Sequence, residues 1–266
     1  MATSKTALAL RGSKVVIIGG SSGIGFAAAS ALIEEGASVI IGSSSAERVA
    51  SAVKRLSDPS AQYNADPSRV SGYPVNLKGP EAEASLRDFF SKIGAFDHLL
   101  YTAGDSLAAK PFHEFAYDDI VSAGSVRLFS VILAVKVATS PGHLKDGGSI
   151  VLTTGSVAEK PLKNWSVVAG FASALYGLTR NLALDLSDRK IRVNAVSPGP
   201  VETELWDNFP EDHRKAFLAS VEAKLLTGRV GQPEDVANAY VYLLKNRNVT
   251  AQVIASDGGN AVADRE

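Results

Sequence analysis

A run of β-branched residues that ends directly on a glycine-rich turn limits this chain more than any other stretch of it. Val15-Val16-Ile17-Ile18 passes without a spacer into Gly19-Gly20-Ser21-Ser22-Gly23-Ile24-Gly25, and an Ala- and Leu-rich segment then continues to Glu35 before Gly36. A short apolar run bounded by glycine reads as a strand buried on both faces, and the segment after it as a helix ended by Gly36. Such a strand needs helices on both sides of its sheet, which commits the chain to an α/β layering. The same alternation continues. Ser38 to Ile41, Tyr73-Pro74-Val75, Asp97 to Thr102, Ser149 to Thr153, Arg192 to Val196 and Gln252 to Ala255 read as strands. Glu47 to Leu56, about Ala116 to Ser140, and Val167 to Leu186 read as helices between them. Asp58 to Arg69, polar and carrying Pro59 and Pro67, reads as a loop insertion. The expectation is a doubly wound parallel sheet with helices on both faces.

At 266 residues, 45% hydrophobic and 21% charged, the chain suits one domain over 1–266 with a large core, not a disordered or fibrous protein. Lys and Arg total 27 against 28 Asp and Glu, a net charge of −1. The electrostatic footprint for a nucleic-acid backbone or an anionic membrane surface is therefore missing. The absence of cysteine removes disulfides, thiolate metal sites and cysteine nucleophiles together, and fits a reducing, cytoplasmic setting. Met1 to Leu10 has no apolar core of signal-peptide length, and no run approaches the roughly 18 consecutive apolar residues of a membrane span. A soluble protein is expected, with neither nucleic acid nor membrane as partner and with no metal.

A phosphate rests on a helix N-terminus only where the backbone comes close. Glycine permits that approach, and unpaired N–H groups and the helix dipole then favour the anion. Gly19, Gly23 and Gly25 stand at such a place, and with Ser21, Ser22 and Ile24 they form the expected cradle of a dinucleotide diphosphate. Taken alone, the same spacing also suits a plain strand-to-helix turn. Sites for NAD carry an acidic residue about 20 residues further on to accept the ribose hydroxyls. Here the second strand runs out into Gly42-Ser43-Ser44-Ser45 with no carboxylate. Nothing there repels a 2′-phosphate, and Ser43, Ser44 and Arg48 can hydrogen-bond one, so NADP(H) is favoured over NAD(H). The serines equally suit a turn that caps the helix near Glu47, and the two roles are compatible.

Further motifs follow in the same chain order. Thr102-Ala103-Gly104 succeeds the fourth strand, Ile191 to Thr203 reads IRVNAVSPGPVET, Gly228 to Val236 reads GRVGQPEDV, and Asp257-Gly258-Gly259 lies near the end. With the glycine turn, these resemble the short-chain dehydrogenase/reductase family over nearly the whole chain. The resemblance implies a Rossmann-type sheet and a homodimer or homotetramer built through the two long helices. It also implies Asn76 beside adenine, Ala103 and Gly104 against the adenosine ribose, and Pro198, Gly199, Val201 and Thr203 against the nicotinamide end.

The family's catalytic set does not carry over. Its members use a Tyr-x-x-x-Lys pair on the long helix after the fifth strand, a serine on the loop before it and an asparagine on the preceding long helix. Aligning Gly177-Leu178-Thr179-Arg180 with that helix puts Val168 at the tyrosine, Ala172 at the lysine, Gly155 at the serine and Arg127 at the asparagine. Tyr176 and Arg180 keep an i, i+4 spacing but lie eight positions on, about 12 Å along the helix, out of reach of the same nicotinamide. Thr154 and Ser156 flank the serine position, and Ser156 is the hydroxyl candidate. The fork of Arg127 suits a cofactor phosphate, a substrate carbonyl or a carboxylate, and equally a salt bridge. Trp165 lies in the loop that overhangs the substrate side in the family and is the candidate pocket wall. Asp105 and His113, after the fourth strand, are the nearest candidates for a substitute acid.

Reduction of a neutral carbonyl needs a positioned acid, commonly worth about 10²–10⁴-fold in rate. An iminium needs no proton at the receiving atom, so a cofactor and a shaped pocket suffice. An arginine on the central helix and a tryptophan ahead of a helix without Tyr and Lys are also similar to fungal alkaloid-pathway members of the family. Those reduce an iminium and then shape a cycloaddition, with an aspartate three residues before the tryptophan; here that position is Leu162. The expected function is an NADP(H)-dependent oxidoreductase with a divergent active site, reducing a hydrophobic metabolite. Its apolar wall would be the helical segment of roughly Glu204 to Leu226, with Leu205, Trp206, Phe209 and Phe217. Two alternatives stay open: a non-redox cyclase or isomerase that keeps the cofactor as scaffold, and a catalytically dead NADP-binding or assembly protein.

Overall fold

The computed structural model describes residues 9–58, 60, 66–107, 109–206 and 211–263. Seven strands form one parallel sheet in the order β3-β2-β1-β4-β5-β6-β7. They are β1 (Lys14–Ile18), β2 (Ser38–Ser43), β3 (Val70–Pro74), β4 (Phe96–Tyr101), β5 (Leu144–Thr153), β6 (Arg192–Pro198) and β7 (Val253–Ser256). β1 pairs with β2 on one side and β4 on the other. The strand order therefore reverses at β1/β4, the place where doubly wound sheets open a crevice at the carboxyl ends of their strands.

Helices α1 (Gly23–Glu34), α2 (Ala46–Leu56) and α8 (Pro233–Lys245) cover one face. The other face carries α3 (Ala82–Ile93), α4 (Tyr117–Gly124), α5 (Ser130–Ala138) and α6 (Ser166–Asp185), and α7 (Glu211–Glu222) follows β6. The β-branched strand residues are sealed on both sides, with Val15, Val16, Ile17 and Ile18 fully buried. On the α3 side Phe89, Phe90 and Phe96 pack together, Phe90 stacked on Phe96 with ring centroids 5.5 Å apart. On the α8 side the buried Tyr240 hydroxyl lies 2.7 Å from Thr153 Oγ1, which meets the polar need of a large core side chain.

Two expectations need correction. Helices α3 and α8 were not marked, although Ala82, Leu86, Phe89, Phe90 and Ile93 are buried at helical spacing. The long helix expected over about Ala116 to Ser140 is interrupted by a π turn, Ser125–Phe129. By length and mean hydropathy alone Tyr117–Ala138 and Ser166–Asp185 could cross a membrane, though neither is a run of consecutive apolar residues, since Arg127, Lys136, Arg180 and several Ser and Gly residues break them. In this fold α5 and α6 lie against β5 and β6.

At the opposite edge from the glycine turn, Asp97 accepts from the Lys14 N–H at 2.8 Å and from Lys145 Nζ at 2.8 Å. Its neighbour His98 lies mostly buried with Nδ1 2.8 Å from Ser149 Oγ. Burial lowers the His98 pKa from 6.5 to about 4, with Asp97 opposing and Arg192, Arg247 and Lys145 reinforcing the shift. A histidine whose pKa is depressed on folding contributes stability that is intact above 6.5 and lost as pH falls toward 4. Denaturant unfolding across that window should show about 3 kcal/mol lost through His98 at 1.36 kcal/mol per unit. A His98→Gln variant should lose that part of the pH dependence; an unchanged slope would contradict the assignment.

Candidate cofactor and substrate site

The glycine turn is shaped first by the chain itself. Gly19 has φ +97°, and a Cβ there would lie 2.4 Å from the Ala103 nitrogen. A Cβ on Gly25 would lie 2.3 Å from the Gly19 oxygen and 2.4 Å from Thr102 Oγ1. Both glycines thus let the turn press onto the end of β4. Gly23, with φ +51°, instead faces the cleft, where Thr203 and Glu204 atoms stand 3.4–3.5 Å from a Cβ built on it. The N-terminus of α1 has no side-chain cap from Ser22 and no acid in its first turn. Its early N–H groups lack intrahelical partners and carry the positive end of the helix dipole. This seat fits a diphosphate. The Gly23 N–H donates here to Glu204 Oε2 at 2.9 Å.

The end expected to face adenosine is polar and cationic. Ser21 and Ser43, both buried, join hydroxyls at 2.9 Å, and Arg48 Nη2 donates to Ser44 Oγ at 2.7 Å. Ser45 caps α2 by accepting the Arg48 N–H at 3.2 Å, the capping role expected at this turn. Arg55 Nη2 donates to the Ser21 carbonyl at 3.0 Å, with its Cζ 4.0 Å above the Phe26 ring. Arg55 was missed from the sequence, although it sits seven positions after Arg48 and so on the same helix face. Asn76 folds onto its own turn, with Nδ2 donating to the Lys78 carbonyl at 3.2 Å and Oδ1 accepting the Lys78 N–H at 3.0 Å. At the other end Pro198 and Val201 are buried, and Gly199 packs so closely on Asp257 that a Cβ would lie 2.6 Å from its Cα.

The positions that the resemblance aligns with the family's catalytic residues are apolar, or carry side chains engaged elsewhere. Val168 is buried in the first turn of α6, with Ala172 one turn on. Thr154 Oγ1 donates to the Ala172 carbonyl at 2.7 Å. Gly155 is extended at φ −179°, and a side chain there would meet only the Pro198 oxygen, at 4.0 Å. Ser156 is buried, its Oγ accepting from Asn260 Nδ2 at 3.1 Å. Trp165 is half-buried and starts α6. Tyr176, two turns beyond Val168, donates to Ser197 Oγ at 3.2 Å, and burial raises its pKa. His113 is 85% exposed, with Nε2 3.9 Å from Glu114 Oε1.

Arg127 projects from the π turn onto the loop after β4. Its Nη2 donates to the Asp105 carbonyl, its Nε lies 3.5 Å from Asp105 Oδ1, and a Cβ on Gly104 would lie 3.0 Å from Nη1 and Nη2. Burial lowers the Arg127 pKa and the Asp105 carboxylate opposes that. Asp105 also pairs with Lys78 at 3.3 Å. Beyond it lies a cavity of about 380 Å³ whose walls include Lys78, Lys110, Asp119 and Phe115. In the expected apolar wall, Leu205 is partly exposed and Trp206 Nε1 donates to the Val201 carbonyl at 2.8 Å. Phe209 lies outside the described residues, as does the side chain of Phe217.

A family model described as an SDR-like Rossmann domain matches residues 6–262. The short-chain dehydrogenase/reductase fsr5 of Gibberella fujikuroi is 38% identical over 262 residues, covering 96% of this chain and 96% of its own. The MalC reductase/Diels-Alderase of Malbranchea aurantiaca superposes with a TM-score of 0.88 at 32% identity, over 97% of this chain and 100% of that one. A small-chain dehydrogenase solved in complex with NADPH gives a TM-score of 0.76 at 29% identity, over 95% of this chain and 100% of that one. With a glycine turn at the strand-order reversal and a match that runs almost end to end, the chain belongs to the short-chain dehydrogenase/reductase family.

Proposed function

We propose that the protein is an NADP(H)-dependent reductase acting on a hydrophobic metabolite whose acceptor carbon is already electron-poor, an iminium or an activated carbonyl. The observation that carries this reading is the pairing of an intact dinucleotide seat with Val168 and Ala172 at the proton-handling positions. When bound, NADPH supplies a hydride. The chain's own residues bind, orient and exclude water: Val168 lines the site with hydrocarbon, and Trp165 forms a wall over it. The hydroxyls of Thr154 and Ser156 already have partners, and His113 points to solvent. A substrate that needs no proton at the receiving atom is the one this set of side chains suits. The likeness to MalC, named a reductase/Diels-Alderase, supports the reductive half. The acid associated with cyclisation is replaced by Leu162, so reduction without cyclisation is the reading.

Preference for NADP(H) rests on Ser43, Ser44, Arg48 and Arg55 around the end of β2, where no carboxylate stands. Arg127 is a positioning residue in this scheme: it holds the Gly104-Asp105 loop rather than reaching the reacting atoms. A homo-oligomer follows from Phe129, Ile132 and Leu184, which stay exposed on the outer sides of the π turn, α5 and α6, Leu184 at 71%.

Titration of intrinsic tryptophan fluorescence should show NADPH binding about tenfold or more tightly than NADH. An Arg48→Ala, Arg55→Ala double variant should lose that preference without weakening NADH. Cyclic iminium substrates should then be turned over while unactivated ketones are not; ketone turnover with no iminium activity would overturn the reading. Arg127→Ala should lower unfolding stability by about 1–2 kcal/mol, because it leaves a partly buried carboxylate with Lys78 as its remaining partner. The loss should shrink in an Asp105→Asn background, and equal losses in both backgrounds would remove the pair. Light scattering should give a dimer or tetramer that Ile132→Glu, Leu184→Glu converts to monomer; a monomeric parent would refute the oligomer.

A further inference from the structure

We propose that Glu204 is a resident anion in the diphosphate seat, an intramolecular competitor that the cofactor must displace to bind. The inference rests on the dinucleotide reading above and adds to it a residue that sets cofactor affinity. Glu204 Oε2 accepts the Gly23 N–H at 2.9 Å across a separation of 181 residues. Within α1 and its cap no anion serves that end, since the first turn holds no acid and Ser22 gives no cap bond. The carboxylate does there what a phosphate oxygen does at a helix N-terminus: it accepts an N–H bond and sits at the positive end of the dipole. Two anions cannot share the seat, because their repulsion would add to the loss of the bond.

The surrounding geometry suits an occupant that leaves. Glu204 is exposed and makes no ion pair among the described residues, so withdrawal breaks its bond to the helix terminus and strands no cation. It opens the short helix Glu204–Trp206, in which the Trp206 N–H donates to the Thr203 carbonyl at 3.1 Å and Nε1 to the Val201 carbonyl at 2.8 Å. That helix begins the segment expected to form the substrate wall. Gly23 has no side chain to keep this segment off, and the Thr203 side chain lies 3.4 Å from where its Cβ would be. Filling the seat with cofactor therefore moves the first residue of the substrate wall, and the return of Glu204 favours release.

Binding of NADPH to the full chain and to Glu204→Gln and Glu204→Ala, by calorimetry, tests this directly. Adenosine 2′-monophosphate, which lacks the diphosphate, serves as the control ligand. Both variants should bind NADPH about two- to fivefold more tightly, the range expected for an anion at an exposed helix terminus. Their affinity for adenosine 2′-monophosphate should match that of the parent. NADPH affinity unchanged in both variants would overturn the proposal. Equal tightening toward both ligands would also overturn it, because general removal of negative charge would then explain the gain. No NADPH binding by the parent would instead remove the cofactor reading beneath it, and the three results are distinguishable.

Discussion

The close approach of the glycine turn to the end of β4 is the contact on which the rest of the site depends. Gly19 and Gly25 have no room for a Cβ because Thr102, Ala103 and the turn's own backbone already occupy that space. This contact aims the N-terminus of α1 across the point where the strand order reverses. It also ties two segments that would otherwise move independently, the turn after β1 and the loop after β4. Arg127 extends the arrangement, since its guanidinium lies against Gly104 and holds Asp105 from behind. A dinucleotide seat is in this sense a packing consequence: the glycines are demanded by backbone proximity before any phosphate is considered.

That separation is compatible with the proposed reading, in which the fold persists with Val168 and Ala172 at the positions the resemblance aligns with the catalytic pair. Val168 and Ala172 lie on a helix held by other residues, among them Leu175 and Thr179, both buried. Gly155 is not forced by sterics, because its backbone is extended and a side chain there would have space. The residue at that position can therefore change without disturbing the architecture around it.

What could be read from the sequence divides along the range of the interactions. β1, the turn and α1 were legible because a β-branched run and glycine spacing are local signals, and the parallel sheet followed from their repetition. Helix α3 is legible in principle, since its apolar positions recur at helical spacing. The π turn was not, because one inserted residue shifts the helical phase without any distinctive composition. Arg55 could have been found from its spacing to Arg48. The Glu204 bond to Gly23 joins residues 181 apart and leaves no local trace. The same holds for Asn260 on Ser156 and for the anchoring of Arg127 by Asp105.

The Arg127–Asp105 pair bears on the substrate's charge. An arginine in place of an asparagine brings a permanent cation toward the crevice, and a lone cation there would repel an iminium. In water-poor surroundings that repulsion is felt more strongly than in bulk solvent. Asp105 supplies the compensating charge, and its carbonyl takes one of the guanidinium's donors. Arg127 is therefore not a lone cation, because Asp105 offsets part of its charge. A carboxylate already committed to Arg127 and Lys78 is poorly placed to serve as the missing acid. On the proposed reading, a partnered arginine and apolar side chains at Val168 and Ala172 favour the same substrate, one that arrives with its positive charge and needs only a hydride.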